Sequence, residues 1–399
     1  MGAVTTSVAV TRDDARARAW TLLLACARRA AGIGDLGEIV AAADAIDDWD
    51  TVRRRAEAHG LLPWLARALS EGGIADGARA PIVASASVAA ARTLWQTRRL
   101  GELVAALGDA GVRAMPYKGP ALSLQLYGDL ALRQSVDLDL VVPRDSYARA
   151  REVLARHGLA PRGGHSPRQE RALFAWLGHA PFGSGDDFVE LHWRFADRRF
   201  PFALDADRAL DRARPTSVAG CAPPLMAPDD LLVTLAMHGT RHLYERLEWL
   251  GGVTQLLASS SGEAARLAEH AASLRARRML AVSVHLAGRV LGWPVGDAWR
   301  RELAHDPASA AIAARMAADL EAHELGDRPW PAGAALVRRY AELLDTPLDR
   351  ARLLACAALA PTARDHEAVA LPDALLPLHR VLRPLRLAGT YVARALSTS

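Results

Sequence analysis

Met115-Pro116-Tyr117-Lys118-Gly119 and, further along, Asp137-Leu138-Asp139-Leu140-Val141-Val142 decide how the rest of this chain reads. The first segment reads as turn and strand ending in a Lys-Gly turn. Pro120, suited to a first helical turn, then opens a helix running to Tyr127. A loop from Asp129 to Ser135 carries Arg133, and the second segment reads as a strand ending at Pro143. Side chains alternate along a strand. Asp137 and Asp139 are therefore expected on one face, with Val136, Leu138 and Leu140 pointing into a core on the other. Two carboxylates side by side repel unless a cation sits between them. Such a pair suits Mg²⁺ (or Mn²⁺), a hard ion that takes oxygen ligands and works with substrate phosphates.

Lys118 is the single lysine among 49 basic residues. In so arginine-rich a chain, a lone lysine suggests a place that wants a compact ammonium rather than a planar guanidinium. Gly119 after it would let the backbone approach a phosphate and offer its N–H. Taken alone, the lysine reads better as an occupant of a surface turn; beside Asp137 and Asp139 it reads as part of a site.

The run of Lys118-Gly119, an Ala-Leu helix ending in Tyr127-Gly128, Arg133, and Asp-Leu-Asp-Leu-Val-Val resembles the uncharacterised nucleotidyltransferase family of bacteria, within the DNA polymerase beta-like superfamily. Glu190-Leu191-His192-Trp193-Arg194 is similar to the family's acid-Leu-His-Trp-Arg segment, and residues 56–69 are similar to its helical lead-in. The stretch around His238 and His242, with Arg246-Leu247-Glu248-Trp249-Leu250, resembles the helical region after its core. Two differences stand out. The superfamily usually has Gly-Ser in the first turn, where this family has Lys-Gly. The family often has an acid where this chain has Gly251-Gly252, which removes the carboxylate expected at that helix end.

The resemblance implies an α+β fold: a polymerase-beta-like mixed sheet flanked by N- and C-terminal helical regions, mostly α overall. It implies a nucleotidyltransferase that moves a nucleoside monophosphate from a triphosphate, expected to be ATP, to a hydroxyl or phosphate of an unknown acceptor, releasing pyrophosphate. By the same match Asp137, Asp139 and Glu190 are the catalytic and metal-binding acids, and Lys118, Gly119 and Arg133 hold the nucleotide. His192, His238 and His242 are secondary candidates. The acceptor could be a small molecule, a peptide or a protein. Two alternatives stay open: a non-catalytic nucleotide- or partner-binding module on the same fold, and a tailoring enzyme of a peptide or polysaccharide pathway.

Composition bounds the rest. The chain has 399 residues, 51% of them hydrophobic, enough for more than one core. Its sequence divides into a helical region over 1–110, an α/β core over 111–215 and a second helical region over 216–399. The net charge of +4 is interspersed and forms no basic block, so a nucleic-acid partner is not expected. Cys26, Cys221 and Cys356 lie far apart without metal-ligand spacing, which fits a reducing cytoplasm. The opening residues lack the pattern of a signal peptide. No apolar run reaches membrane-spanning length, so no stable membrane insertion is expected.

Downstream, Phe174 to Gly183 and Phe188 to Phe195 read as a hairpin whose turn holds Asp186 and Asp187. Those two acids rival Glu190 as the third carboxylate, but acids are ordinary in turns. His59 before Gly60 reads as a ligand or, better, as a helix C-terminal histidine. His238 and His242 share a helical face, at the spacing of a helical zinc pair but without its glutamate; they face a cleft or link packed helices. The last stretch, with Arg380, Arg383 and Arg386 among leucines and a break expected at Pro384, reads as a helix packing on its predecessors or lying on a membrane surface.

Overall fold

The structure, a computed structural model, describes residues 12–74, 76–162, 166–185, 187–216, 223–325 and 330–397. Five helices come first: α1 (Arg12–Ala30), α2 (Leu36–Ala43), α3 (Trp49–Ala58), α4 (Leu62–Glu71) and α5 (Asp76–Asp109). Side-chain caps start two of them, since Asp35 accepts from the Glu38 amide and Asp48 from the Thr51 amide. The mixed part follows: β1 (Met115–Pro116), α6 (Gly119–Tyr127), β2 (Leu138–Val141), α7 (Tyr147–Arg156), α8 (Pro167–Leu177), β3 (His179–Ser184) and β4 (Asp187–His192). After α9 (Ala206–Arg212), a small β5 (Arg214–Pro215) and β6 (Pro224–Leu225) pair leads to α10 (Pro228–Arg241) and α11 (Leu247–Ser259). The remaining helices are α12 (Ala264–Ser273), α13 (Arg277–Leu291), α14 (Asp297–Leu303), α15 (Pro307–Leu325), α16 (Gly333–Glu342), α17 (Pro347–Leu359), α18 (Ala363–Ala368) and α19 (His379–Ser397). The protein is α+β and mostly helical, with one small mixed sheet.

That sheet has strand order β1-β2-β4-β3. β2 runs antiparallel to β1 and parallel to β4, and β3 and β4 form the hairpin. Leu138, Leu140 and Val142 turn to one side, where they pack with Leu103 and Leu107 of α5, Leu154 of α7, and Phe182, Val189 and Leu191. Val141 turns to the other side and joins Tyr117, Leu122 and a helical cluster drawn from α1, α4, α10, α11 and α13. The sheet is thus held between two apolar bodies, and Asp139, lying between Leu138 and Leu140 in the alternation, faces the helical one. Truncating Leu140, fully buried, to alanine would open a cavity costing about 2–5 kcal/mol.

Three expectations change. The second strand begins at Leu138, so Asp137 is the last residue of the loop before it, and Val136 is 61% exposed rather than buried. Phe174 to Leu177 belong to α8, whose capping box at Ser166 and Gln169 outweighs the strand-like run of apolar residues. Helix α19 continues through Pro384. Cys221 and Asp186 lie outside the described residues. Cys26 and Cys356 are free thiols, and burial pushes the Cys26 thiol up to about 12. Among the described residues, no helix is long and apolar enough to cross a membrane.

α19 is tied to α18 through a buried ionic network. Asp365, 2% exposed, accepts from the Thr362 amide (2.8 Å) and hydroxyl (2.7 Å), from Arg386 Nε (2.8 Å) and from Arg383. Burial alone would raise the Asp365 carboxyl; the Thr362 and arginine hydrogen bonds outweigh it and hold the group at about 2. Stability carried by a depressed carboxyl is complete above its unfolded value and is lost as pH falls toward the folded one. We expect α19 to detach in acid between about pH 4 and pH 2, ahead of the rest. Hydrogen exchange across α17 and α19 over that range would read it, and Asp365→Asn should abolish the pH dependence.

Candidate active site

The parallel pairing of β2 with β4 sets Asp139 directly opposite Glu190, and Val141 opposite His192. Three polar side chains therefore converge from two adjacent strands. His192 Nε2 lies 2.8 Å from Asp139 Oδ1 and 3.3 Å from Glu190 Oε2. Lys118, at the N-cap of α6, brings its ammonium to 3.4 Å from the same Asp139 oxygen. Gly119 follows with φ +60°, a conformation a side chain would strain. Tyr117 and His179 flank the His192 ring edge-on and stacked.

The electrostatics follow from this packing. Burial would raise the Asp139 carboxyl, but Lys118 and His192 hold it well below the usual carboxylate range. Burial likewise opposes ionisation of Glu190, and the His192 hydrogen bond wins, lowering it. Burial pushes His192 down, and its bonds to Asp139 and Glu190 more than reverse that. Lys118 is raised, against burial, by Asp139 and its acidic neighbours. Asp137 differs: burial, then the Asp139 charge, push its carboxyl up to about 6. Among the described residues, Asp139, Glu190 and His192 form a group whose ligand atoms all lie within 4.8 Å of one another, and Asp137 stands outside it. Asp139 Oδ2 is buried and has no hydrogen-bond partner. An orphaned, desolvated carboxylate oxygen beside two further donors is chemistry that fits a divalent cation.

The other candidates sit close by. Arg133, 8% exposed, is ion-paired with buried Glu248 of α11. Both line a cleft with Lys118, His238, Trp249 and Gly252. His238 and His242 contact each other and pack edge-on against Trp249, their ring centroids 5.0 and 5.4 Å from it. Burial, then Lys118 or Arg241, keeps both imidazoles neutral, His238 well below its ordinary value and His242 at about 4. Asp187 pairs with Arg99 (2.9 Å), away from Glu190's partners. His59 is fully buried, and its Nδ1 accepts from the Leu247 amide.

Glu248 was not singled out from the sequence. The missing acid was sought at Gly251-Gly252, yet a carboxylate stands about one turn earlier on the same helix. A signal existed: an arginine buried in the 129–135 loop needs a buried acid. The glycines have their own reason. A Cβ at Gly252 would meet Leu126 at 3.0 Å, where α11 approaches α6.

Residues 46–292 match the sequence profile of the uncharacterised nucleotidyltransferase family. The chain belongs to that family. No curated protein matches it in sequence. Among solved structures, it is similar to a solution structure of the antibiotic-resistance factor ANT(2'')-Ia, with 14% identity over 46% of this chain and 93% of that one, at a TM-score of 0.34. A crystal structure of ANT(2'')-Ia with adenylyl-2''-tobramycin gives 16% identity over 46% and 98%, at 0.32. The nucleotidyltransferase match spans both β2 and β4, so the Asp139–Glu190–His192 group lies inside it.

Two measurements probe this nucleotidyltransferase's site directly. A carboxyl raised on folding destabilises the fold once pH exceeds its unfolded value, and the penalty is complete above the folded one. Asp137→Asn in EDTA should therefore stabilise by on the order of 2 kcal/mol at pH 8 and by nothing below about pH 4, read by urea unfolding. Removing the acid from the buried pair, as Glu248→Ala, should cost about 3–5 kcal/mol in the same assay, because it strands the Arg133 guanidinium.

Proposed function

We propose that this protein transfers a nucleoside monophosphate from a triphosphate, ATP foremost, to a hydroxyl or phosphate of a small-molecule, peptide or protein acceptor. The observation that carries the reading is the convergence of Asp139, Glu190 and His192, with an orphaned Asp139 oxygen, beside the chain's single lysine. Asp139 and Glu190 would hold Mg²⁺ or Mn²⁺, and His192 adds a nitrogen donor that Mn²⁺ accepts more readily than Mg²⁺. When bound, such an ion supplies charge neutralisation of the triphosphate and Lewis-acid polarisation of its oxygens.

The chain's own groups divide the remaining work. Lys118 sets positive charge against the triphosphate oxygens, and Gly119 lets the backbone come close. Arg133, held by Glu248, offers guanidinium N–H donors from the cleft wall, and the neutral His238 and Trp249 rings line the cleft beside it. In the reaction, the acceptor oxygen forms a bond to the α-phosphorus while the bond from that phosphorus to the bridging oxygen breaks, releasing pyrophosphate. The acceptor proton passes to a carboxylate oxygen of Asp137. In the metal-free protein, burial and the Asp139 charge raise that carboxyl, which favours its accepting a proton.

Purified protein with Mg²⁺ or Mn²⁺ and α-labelled triphosphates should label an acceptor from a broad metabolite and peptide panel. Asp139→Ala should lower that rate at least about a thousandfold, in line with losing preorganised charge stabilisation. If the wild-type protein binds triphosphate without any turnover across the panel, it is a nucleotide-binding module instead. If it binds none with either metal, the reading fails altogether.

A further inference from the structure

A second concave site lies away from the acids, where α8 meets the C-terminal helices. It has a volume of about 330 Å³, within the range of small-molecule pockets. Arg168 from α8, Arg198 from the segment after β4, and Arg380 from α19 line it together, with His366 and the Trp176 indole. Among the described residues, no acid is one of its lining groups. None of the three arginines has a carboxylate partner among the described residues, whereas Arg383 and Arg386 of α19 nearby pair with Asp365. Asp365 is occupied by that pairing. The positive field spreads further, because Arg194, lowered chiefly by burial, is lowered also by Arg198 and Arg352.

Three uncompensated guanidiniums around one concavity repel one another, and the arrangement relaxes when an anion enters. Arginine forks match the paired oxygens of a phosphate or carboxylate. Trp176 and the apolar Leu173 and Leu376 supply a flat, dry wall beside the charges, suited to a ring rather than to a bare ion. We propose that this pocket binds a small organic phosphate carrying a planar ring, at a place separate from the Asp139–Glu190 group. The C-terminal part of the pocket, contributed by His366, Leu376 and Arg380, falls outside the family match at 46–292. The site therefore draws on residues both inside and outside the family match.

The test is calorimetric titration of the full chain with 4-methylumbelliferyl phosphate in EDTA, alongside 4-methylumbelliferone and inorganic phosphate. The aryl phosphate should bind, and each half-molecule at least tenfold more weakly. Arg198→Gln combined with Arg380→Gln should weaken binding at least tenfold without moving the thermal midpoint, since both side chains are exposed. Trp176→Leu should weaken the aryl phosphate but not inorganic phosphate. Asp139→Asn should leave binding unchanged. Absence of aryl-phosphate binding at millimolar concentration overturns the proposal, as do binding indifferent to the double arginine variant and binding lost in Asp139→Asn. Equal affinity for inorganic phosphate overturns the ring-binding part. None of these results bears on nucleotidyl transfer.

Discussion

Asp139 and Glu190 stand opposite each other across a parallel strand pair, largely removed from water, and two carboxylates so placed cannot both stay ionised without cations at hand. Much of the local architecture answers that demand. His192 follows Glu190 by two residues, so strand alternation returns it to the same face, where one imidazole nitrogen reaches both acids. Lys118 arrives from the start of α6, which Pro120 and the positive-φ Gly119 fix in place. One Asp139 oxygen is still unpartnered. The compensation is partial, and an incompletely neutralised acidic cluster is what a site for a divalent cation and a polyphosphate requires before its ligands arrive.

The same constraint explains why the helices crowd where they do. A polar cluster on one sheet face can stay desolvated only if something covers that face. Here the cover is the bundle that carries Tyr117 and Val141 into its core and sends α10 and α11 over the cleft. The cover brings its own buried charge, Arg133, which Glu248 neutralises from α11. α11 can come that close to α6 because Gly252 presents no side chain toward Leu126. The loop arginine, the helix acid and that glycine are one packing solution.

Much of this was legible in the residues. The order Lys-Gly, Asp-x-Asp, then Glu-Leu-His-Trp-Arg gave the family and the mixed sheet, because strand periodicity and turn chemistry are local properties. Reading failed where local signals compete. The apolar run from Phe174 suits helix or strand equally, and the capping box upstream at Ser166 decided for helix. Asp137 could not be told from a strand residue, since the strand's start depends on where β4 offers partners, and the register with β4 begins at Leu138.

By itself, then, the sequence determined which residue types occupy each turn and strand face, and hence that acids, a lone lysine and a histidine would be present in a nucleotidyltransferase core. Tertiary structure alone decided which of them meet. Parallel register, a non-local property, put Glu190 rather than Asp137 level with Asp139 and made His192 their shared neighbour. It also joined Arg133 to Glu248 and Arg198 to Arg380 across long stretches of chain. The physical reason is that backbone alternation is fixed residue by residue, whereas the distance between two charges is set by how whole elements pack.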